Sequence, residues 1–103
     1  MELIDKVYLI ELMDEYGKLL TTKQQLILEN YCNYDLAISE IGTEMGLTRQ
    51  AVFDSLQKSI KQLQLYEEIL KVLSGKKETI EFINKQNINQ KTKQELIEKI
   101  KGI

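Results

Sequence analysis

Between Thr48 and Lys61 the chain reads TRQAVFDSLQKSIK, and its polar residues are of the types that read nucleic acid. Arginine offers a planar fork that matches the O6 and N7 atoms of guanine, and a glutamine amide matches N6 and N7 of adenine. Arg49 and Gln50 are the candidates for those two contacts. Thr48, at an amide-rich helix start, and Lys58 are suited to holding phosphates, with Lys61 further along. Phe53 is placed to touch a thymine methyl. Asp54 would repel phosphate or accept from a cytosine, or would pair with Lys58 one turn on. Gln57 completes the DNA-binding set: Thr48, Arg49, Gln50, Phe53, Asp54, Gln57, Lys58 and Lys61. Two other readings of this face stand beside it. One is a solvated surface with Arg49 paired to Asp54 or nearby acids, and the other is a protein-binding surface centred on an exposed Phe53.

Other chemistry is poorly supplied. The chain has no histidine and one cysteine, so the commonest general base, metal ligand and nucleophile are missing. The acid pairs Glu40/Glu44 and Glu67/Glu68 have no lysine in an apolar pocket beside them and read as solvated helix charges. There is no glycine-rich phosphate loop. No catalytic residue, metal site or cofactor is expected. A lone Cys32 excludes an intramolecular disulfide and fits a reducing cytoplasm. Its place on an apolar helical face predicts a buried, inert thiol.

The elements that must position the Thr48–Lys61 face lie just before it. DLAISEIGTEMGLTRQAVFDSLQKS, from Asp35 to Ser59, reads as two helices joined by a tight turn. Asp35 is a good N-cap, and Ile38 and Ile41 follow at helical spacing. Gly46 supplies the left-handed conformation that stops a helix abruptly. Leu47 plugs the turn, and Thr48 caps a helix whose inner face carries Val52 and Leu56. A helix-turn-helix crosses at about 90–120° and needs small side chains where the backbones approach. Gly42 and Ala51 meet that need, although glycine in mid-helix costs about 1 kcal/mol.

No glycine or proline interrupts the second helix before Gly75, so one helix of roughly 40 Å is predicted from Thr48 to about Ser74. Its apolar residues, Val52, Leu56, Ile60, Leu63, Tyr66, Leu70 and Leu73, recur close to every 3.5 residues. A helix of this length needs a cover for its far half. The N-terminal helix, the C-terminal tail or the same helix of a second subunit would provide one, and in the last case Ile60, Leu63, Tyr66, Leu70 and Leu73 form the dimer interface.

Upstream, a helix from about Glu2 to Tyr16 is predicted. Leu3, Val7 and Ile10 form its stripe, Leu12, Met13 and Tyr16 widen it, and Glu2, Asp5, Lys6, Glu11, Asp14 and Glu15 are left to solvent. Gly17 ends it. Thr21 with Gln24, or Thr22 with Gln25, fits a capping box that starts a helix to about Asn33, with Ile27, Leu28, Tyr31 and Cys32 on one face. Downstream, a helix from about Lys76 to Lys85 carries Ile80, Phe82 and Ile83. A last one opens on a Thr92–Glu95 capping box and carries Leu96, Ile97 and Ile100.

The 103 residues thus describe an all-α protein: a helix-turn-helix domain over 1–74 and a short helical extension over 75–103. The net charge of −2 hides an asymmetry. Met1–Leu47 holds three lysines against nine acids, and Thr48–Ile103 eleven bases against seven acids, so the recognition-helix half is the basic one. No apolar run approaches the roughly 18 residues of a membrane span, and the MELIDK start reads as acidic, where a signal-peptide leader is expected to be basic.

The segment LLTTKQQLILENYCNYDLAISEIGTEMGLTRQAVFDSLQKSIKQLQLYEEIL, about Leu19 to Leu70, resembles the YlxM family of small bacterial helix-turn-helix proteins. Leu20-Thr21-x-Lys23-Gln24, the Asp35–Ile41 helix and Thr48-Arg49-Gln50-Ala51-Val52-Phe53-Asp54 carry the resemblance. The helix-turn-helix alone is also similar to region 4 of bacterial sigma factors. The resemblance implies an all-helical, dimeric, cytoplasmic protein. Genes of this family lie beside those of the signal recognition particle GTPases, which implies a regulatory link to that pathway. The sequence departs from the family pattern at Gly42, where alanine is commoner, and its tail after Gly75 matches poorly. Two functions follow as expectations: a DNA-binding regulator, or an adaptor that contacts the signal recognition particle GTPase or its RNA.

Overall fold

Side-chain oxygens decide where most of the helices begin. The computed structural model describes residues 3–103, and within them α1 spans Lys6–Tyr16, α2 Thr22–Cys32, α3 Ile38–Met45, α4 Arg49–Leu70, α5 Val72–Asn84 and α6 Gln90–Lys101, with no strand. A 3-10 turn over Gly17–Leu19 joins α1 to α2. The Thr21–Gln24 capping box is complete: the Thr21 hydroxyl accepts from the Gln24 amide at 3.2 Å, and the Gln24 side chain accepts from the Thr21 amide at 3.0 Å. The Thr22–Gln25 alternative is unused, because the Gln25 amide donates instead to the Leu20 carbonyl at 2.9 Å.

Four predicted starts move, that of α5 among them, from Lys76 to Val72. The first helix begins at Lys6, because the Asp5 carboxylate caps the Tyr8 amide at 3.2 Å; Glu2 lies outside the described residues. Asp35 is not the cap of α3. It turns the chain in the left-handed region, φ 51°, and its carboxylate takes Lys6 at 2.5 Å. Ala37 is the cap residue, and the Glu40 carboxylate accepts its amide at 3.1 Å. The last helix opens on Asn89, which accepts from the Thr92 amide at 2.8 Å, rather than on a Thr92–Glu95 box.

α1 turns inward the predicted flank of Leu12 and Tyr16, joined by Leu9, rather than the predicted stripe through Val7. Leu9, Leu12 and Tyr16 are buried, and Val7 is 67% exposed. Leu9, Leu12 and Tyr16 follow the i, i+3, i+7 spacing of a single stripe, and Val7 falls on the other flank. Glu15 is not left to solvent either: it pairs with Lys76 at 2.6 Å, both side chains largely covered. One core joins these residues to Leu20, Ile27, Leu28, Ile41, Val52, Leu56, Ile60, Leu63 and Leu73.

The predicted long helix breaks four residues early. α4 ends at Leu70, Lys71 takes φ 53°, and α5 starts at Val72 and runs straight through Gly75. The cause is tertiary. The Glu67 carboxylate accepts from the Leu73 and Ser74 amides at 3.0 and 3.1 Å and from the Tyr16 hydroxyl at 2.6 Å. The same hydroxyl accepts from the Val72 amide at 3.2 Å. Free amides at the α5 start are thus satisfied by side chains of α4 and α1.

This joint also corrects the predicted dimer interface. Ile60, Leu63 and Leu73 are buried in the chain's own core, and Tyr66 is half-buried with its ring 6.1 Å from that of Tyr16. Leu70 alone of the five is exposed. α1, α2 and α5 cover α4, so the seam does not need a second subunit to be dry.

Candidate nucleic-acid interface

Gly46 sits at φ 68°, in the left-handed conformation that stops α3, and the Leu47 amide donates back to the Gly42 carbonyl at 2.8 Å. A Cβ on Gly42 would lie 2.6 Å from the Leu47 carbonyl oxygen, so the close approach is between α3 and the turn itself. Ala51, predicted to share that role, is exposed. The turn hands the chain to Thr48, whose hydroxyl accepts the Ala51 amide at 3.0 Å and so starts α4.

The first turn of α4 holds Arg49 and Gln50 exposed, as the sequence predicts. Asp54, Lys58 and Lys61 are exposed one to three turns on, and Gln57 is half-buried between them. Asp54 does not pair with Lys58 or Arg49. Its partner is the Gln50 amide, at 2.8 Å, one turn back. Among the described residues Arg49, Lys58 and Lys61 enter no ion pair. The Thr48 hydroxyl accepts one amide at the cap, and its O–H remains a donor.

Phe53 belongs to a different surface. It is 4% exposed and lines an inner hollow with Leu3, Tyr31, Ile38 and Arg49. The segment before α1, the end of α2 and the start of α3 cover it, so it reaches neither a thymine methyl nor a protein partner. Helical spacing could not reveal this, because Phe53 stands only about 100° around the helix from Val52.

A residue outside the predicted set joins the face. Lys23, exposed in the first turn of α2, shares a shallow hollow with Thr21, Gln24, Ala51, Asp54 and Lys58. The Gln24 amide donates to the Gln62 side chain at 2.7 Å and fixes α2 against α4. The signal was present in Leu20-Thr21-x-Lys23-Gln24, as a capping motif rather than as a binding one.

The charge of the face is more even than the chain halves imply. α4 carries Arg49, Lys58 and Lys61 against Asp54, Glu67 and Glu68, and is neutral. The positive excess lies in Lys71, Lys85 and α6, where four lysines stand against two glutamates, and α5 is neutral. No group of three or more His, Cys, Asp or Glu side chains that could hold a metal occurs among the described residues. Cys32 is half-buried rather than buried, and burial, opposed by Lys6, pushes its thiol pKa up. No helix among the described residues is long and apolar enough to cross a membrane.

A short helix, a left-handed glycine turn and a longer helix with a polar outer face make this an all-α helix-turn-helix protein. The chain belongs to the family described as "Putative helix-turn-helix protein, YlxM / p13 like", whose sequence model matches residues 3–103. The match therefore runs through α5 and α6, which the motif-based resemblance had left out. Relatives named UPF0122 protein include one from Clostridium novyi (strain NT), 36% identical over 99 residues, covering 96% of this chain and 77% of the relative. One from Mycoplasma capricolum is 36% identical over 95 residues, covering 92% and 84%. One from Desulforamulus reducens is 42% identical over 77 residues, covering 71% and 66%.

Proposed function

We propose that this protein is a DNA-binding regulator that places the first turn of α4 in the major groove. The observation that carries the reading is the pair Arg49 and Gln50, exposed on a helix start that a glycine turn and a threonine cap hold in place. Family membership supports a regulator-like role without catalysis. Arg49 reads a guanine and Gln50 an adenine, each contact worth about 1–3 kcal/mol of discrimination. Gln50 must first leave Asp54, which then faces a cytosine amine rather than phosphate. Lys58, Lys61 and Lys23 flank the helix as phosphate contacts, and Thr48 adds a neutral donor.

The test is fluorescence anisotropy of a labelled duplex from the protein's own upstream region, beside a scrambled duplex, at low and moderate salt. The expected result is salt-sensitive binding that prefers the upstream duplex, lost in Arg49→Ala/Lys58→Ala with helicity unchanged. Unchanged affinity in the double variant removes this face as the DNA site. No binding at low salt transfers the face to the second reading, an adaptor for signal recognition particle RNA or GTPase. Burial of Phe53 takes from that reading the aromatic that suited a protein partner, and leaves RNA as its stronger form.

A further inference from the structure

Four separate stretches of chain meet in one hollow of about 310 Å³: Leu3 before α1, Tyr31 near the end of α2, Ile38 at the start of α3, and Arg49 with Phe53 on α4. That volume is at the small end of the range for ligand pockets. Phe53 is buried, Leu3, Tyr31 and Ile38 are half-buried, and Arg49 alone is exposed. The hollow therefore has aromatic and aliphatic walls and a guanidinium at its mouth.

The charge of this lining sets it apart. The hollow between α1 and α5 places Glu11, Asp14 and Glu15 beside Lys76, Lys77 and Lys101, and the two along α4 place Asp54 beside Lys58. In those walls the two signs offset each other. Among the described residues, the hollow at Phe53 is lined by one charged side chain, Arg49, which enters no ion pair. Lys6 stands over the Tyr31 ring, its Nζ 4.4 Å from the centroid, but its charge is taken by Asp35. One positive charge is left at the mouth with no carboxylate in the lining to meet it.

Those features specify an occupant. A guanidinium fork pairs with a carboxylate through two parallel hydrogen bonds, and a single positive charge is matched by a single negative one. Phe53 and Tyr31 offer ring surface, against which a planar aromatic ring makes offset or edge-on contacts. Space of this size suits one ring or two fused rings.

We propose that this hollow is a binding site for a small planar aromatic carboxylate. The ring enters against Phe53 and Tyr31, and the carboxylate closes the mouth by pairing with Arg49. Binding of the acid concerns the free protein and stands by itself. Its consequence for DNA rests on the reading given above. An Arg49 held by a carboxylate cannot reach a guanine, so acid and duplex compete for one side chain, and each weakens the other by the same factor. An aromatic acid then releases the protein from DNA.

The probe is 2-naphthoate, which is fluorescent and is read without background from a chain that has no tryptophan. Its anisotropy is titrated with the full chain in the absence of DNA, and amide shifts are followed by heteronuclear NMR. The expected result is saturable binding at one site, with shifts centred on Tyr31, Ile38, Arg49 and Phe53. The neutral analogue 2-naphthamide binds more weakly by about tenfold or more. Arg49→Lys keeps the charge but loses the fork and weakens 2-naphthoate by about tenfold, and Arg49→Gln removes saturable binding. Arg49 is exposed, so both variants are expected to fold. No saturable binding, equal affinity for 2-naphthamide, or shifts centred on another surface overturns the proposal. For a duplex that Arg49→Ala releases, saturating 2-naphthoate lowers affinity by about tenfold, the loss of one bidentate base contact. Unchanged affinity for that duplex overturns the competition. A chain that binds 2-naphthoate but no duplex refutes the DNA reading and leaves the site standing.

Discussion

Ser59 is the one buried polar residue without a hydrogen-bond partner for its hydroxyl among the described residues, and it stands at 1% exposure on the inner face of α4. An unmet buried hydroxyl costs about 1–3 kcal/mol, while the alanine that replaces it loses almost no volume. Ser59→Ala is therefore expected to stabilise the chain by about 1 kcal/mol, a rise of about 4–8 °C in Tm by calorimetry. A lower Tm would mean that the hydroxyl has an unseen partner. Gly46 works in the other sense. With φ at 68°, Gly46→Ala is expected to cost about 1–2 kcal/mol in chemical denaturation, with Arg49 and Gln50 displaced along with the turn. At Gly42 the barrier is contact rather than φ, since any Cβ meets the Leu47 carbonyl, and Gly42→Val is expected to cost about 2 kcal/mol or more.

At the scale of elements, the α4–α5 joint depends on one carboxylate. Burial pushes the Glu67 pKa up, but hydrogen bonds from Tyr16 and from Ser74 and Leu73 outweigh it and hold the group below its usual value. A carboxyl lowered in the folded state adds stability above its unfolded pKa, and that stability is lost as pH falls through the folded pKa. Acidification through and below the ordinary carboxylate range is therefore expected to loosen the start of α5. Amide exchange at Val72, Leu73 and Ser74 would report it, and Glu67→Gln should flatten the response. Equal acid sensitivity in that variant would place the cause elsewhere. Tyr16→Phe removes a hydroxyl that donates to Glu67 and accepts from Val72, and is expected to cost about 1–2 kcal/mol.

For the whole molecule, charge and face are separated. Arg49, Gln50 and Lys58 stand on a neutral helix, and the net positive charge of the second half is carried by Lys71, Lys85 and α6. If Lys23, Arg49, Lys58 and Lys61 are the phosphate and base contacts of one half-site, the logarithmic salt slope is at most about 4 per chain. Neutralising the α6 lysines Lys91 and Lys93 is expected to leave that slope unchanged. A large drop would show that α6, and not α4, holds the nucleic acid.

The sequence alone determined the elements whose partners are close in the chain. Thr21 with Gln24, Gly46 after Met45, and Thr48 before Ala51 satisfy backbone groups within a few residues, so their chemistry could be read without a fold. The same locality kept Arg49, Gln50, Lys58 and Lys61 on an outer face. Only the tertiary structure decided what lies beneath Phe53, which face of α1 turns inward, and where the long helix stops. Phe53 is covered by segments up to fifty residues away, and the joint after Lys71 is held by Glu67 together with Tyr16, a residue of the first helix that accepts from the Val72 amide. Periodicity says how side chains are arranged around one helix. Burial depends on which other segments arrive, and that is a property of the packed chain.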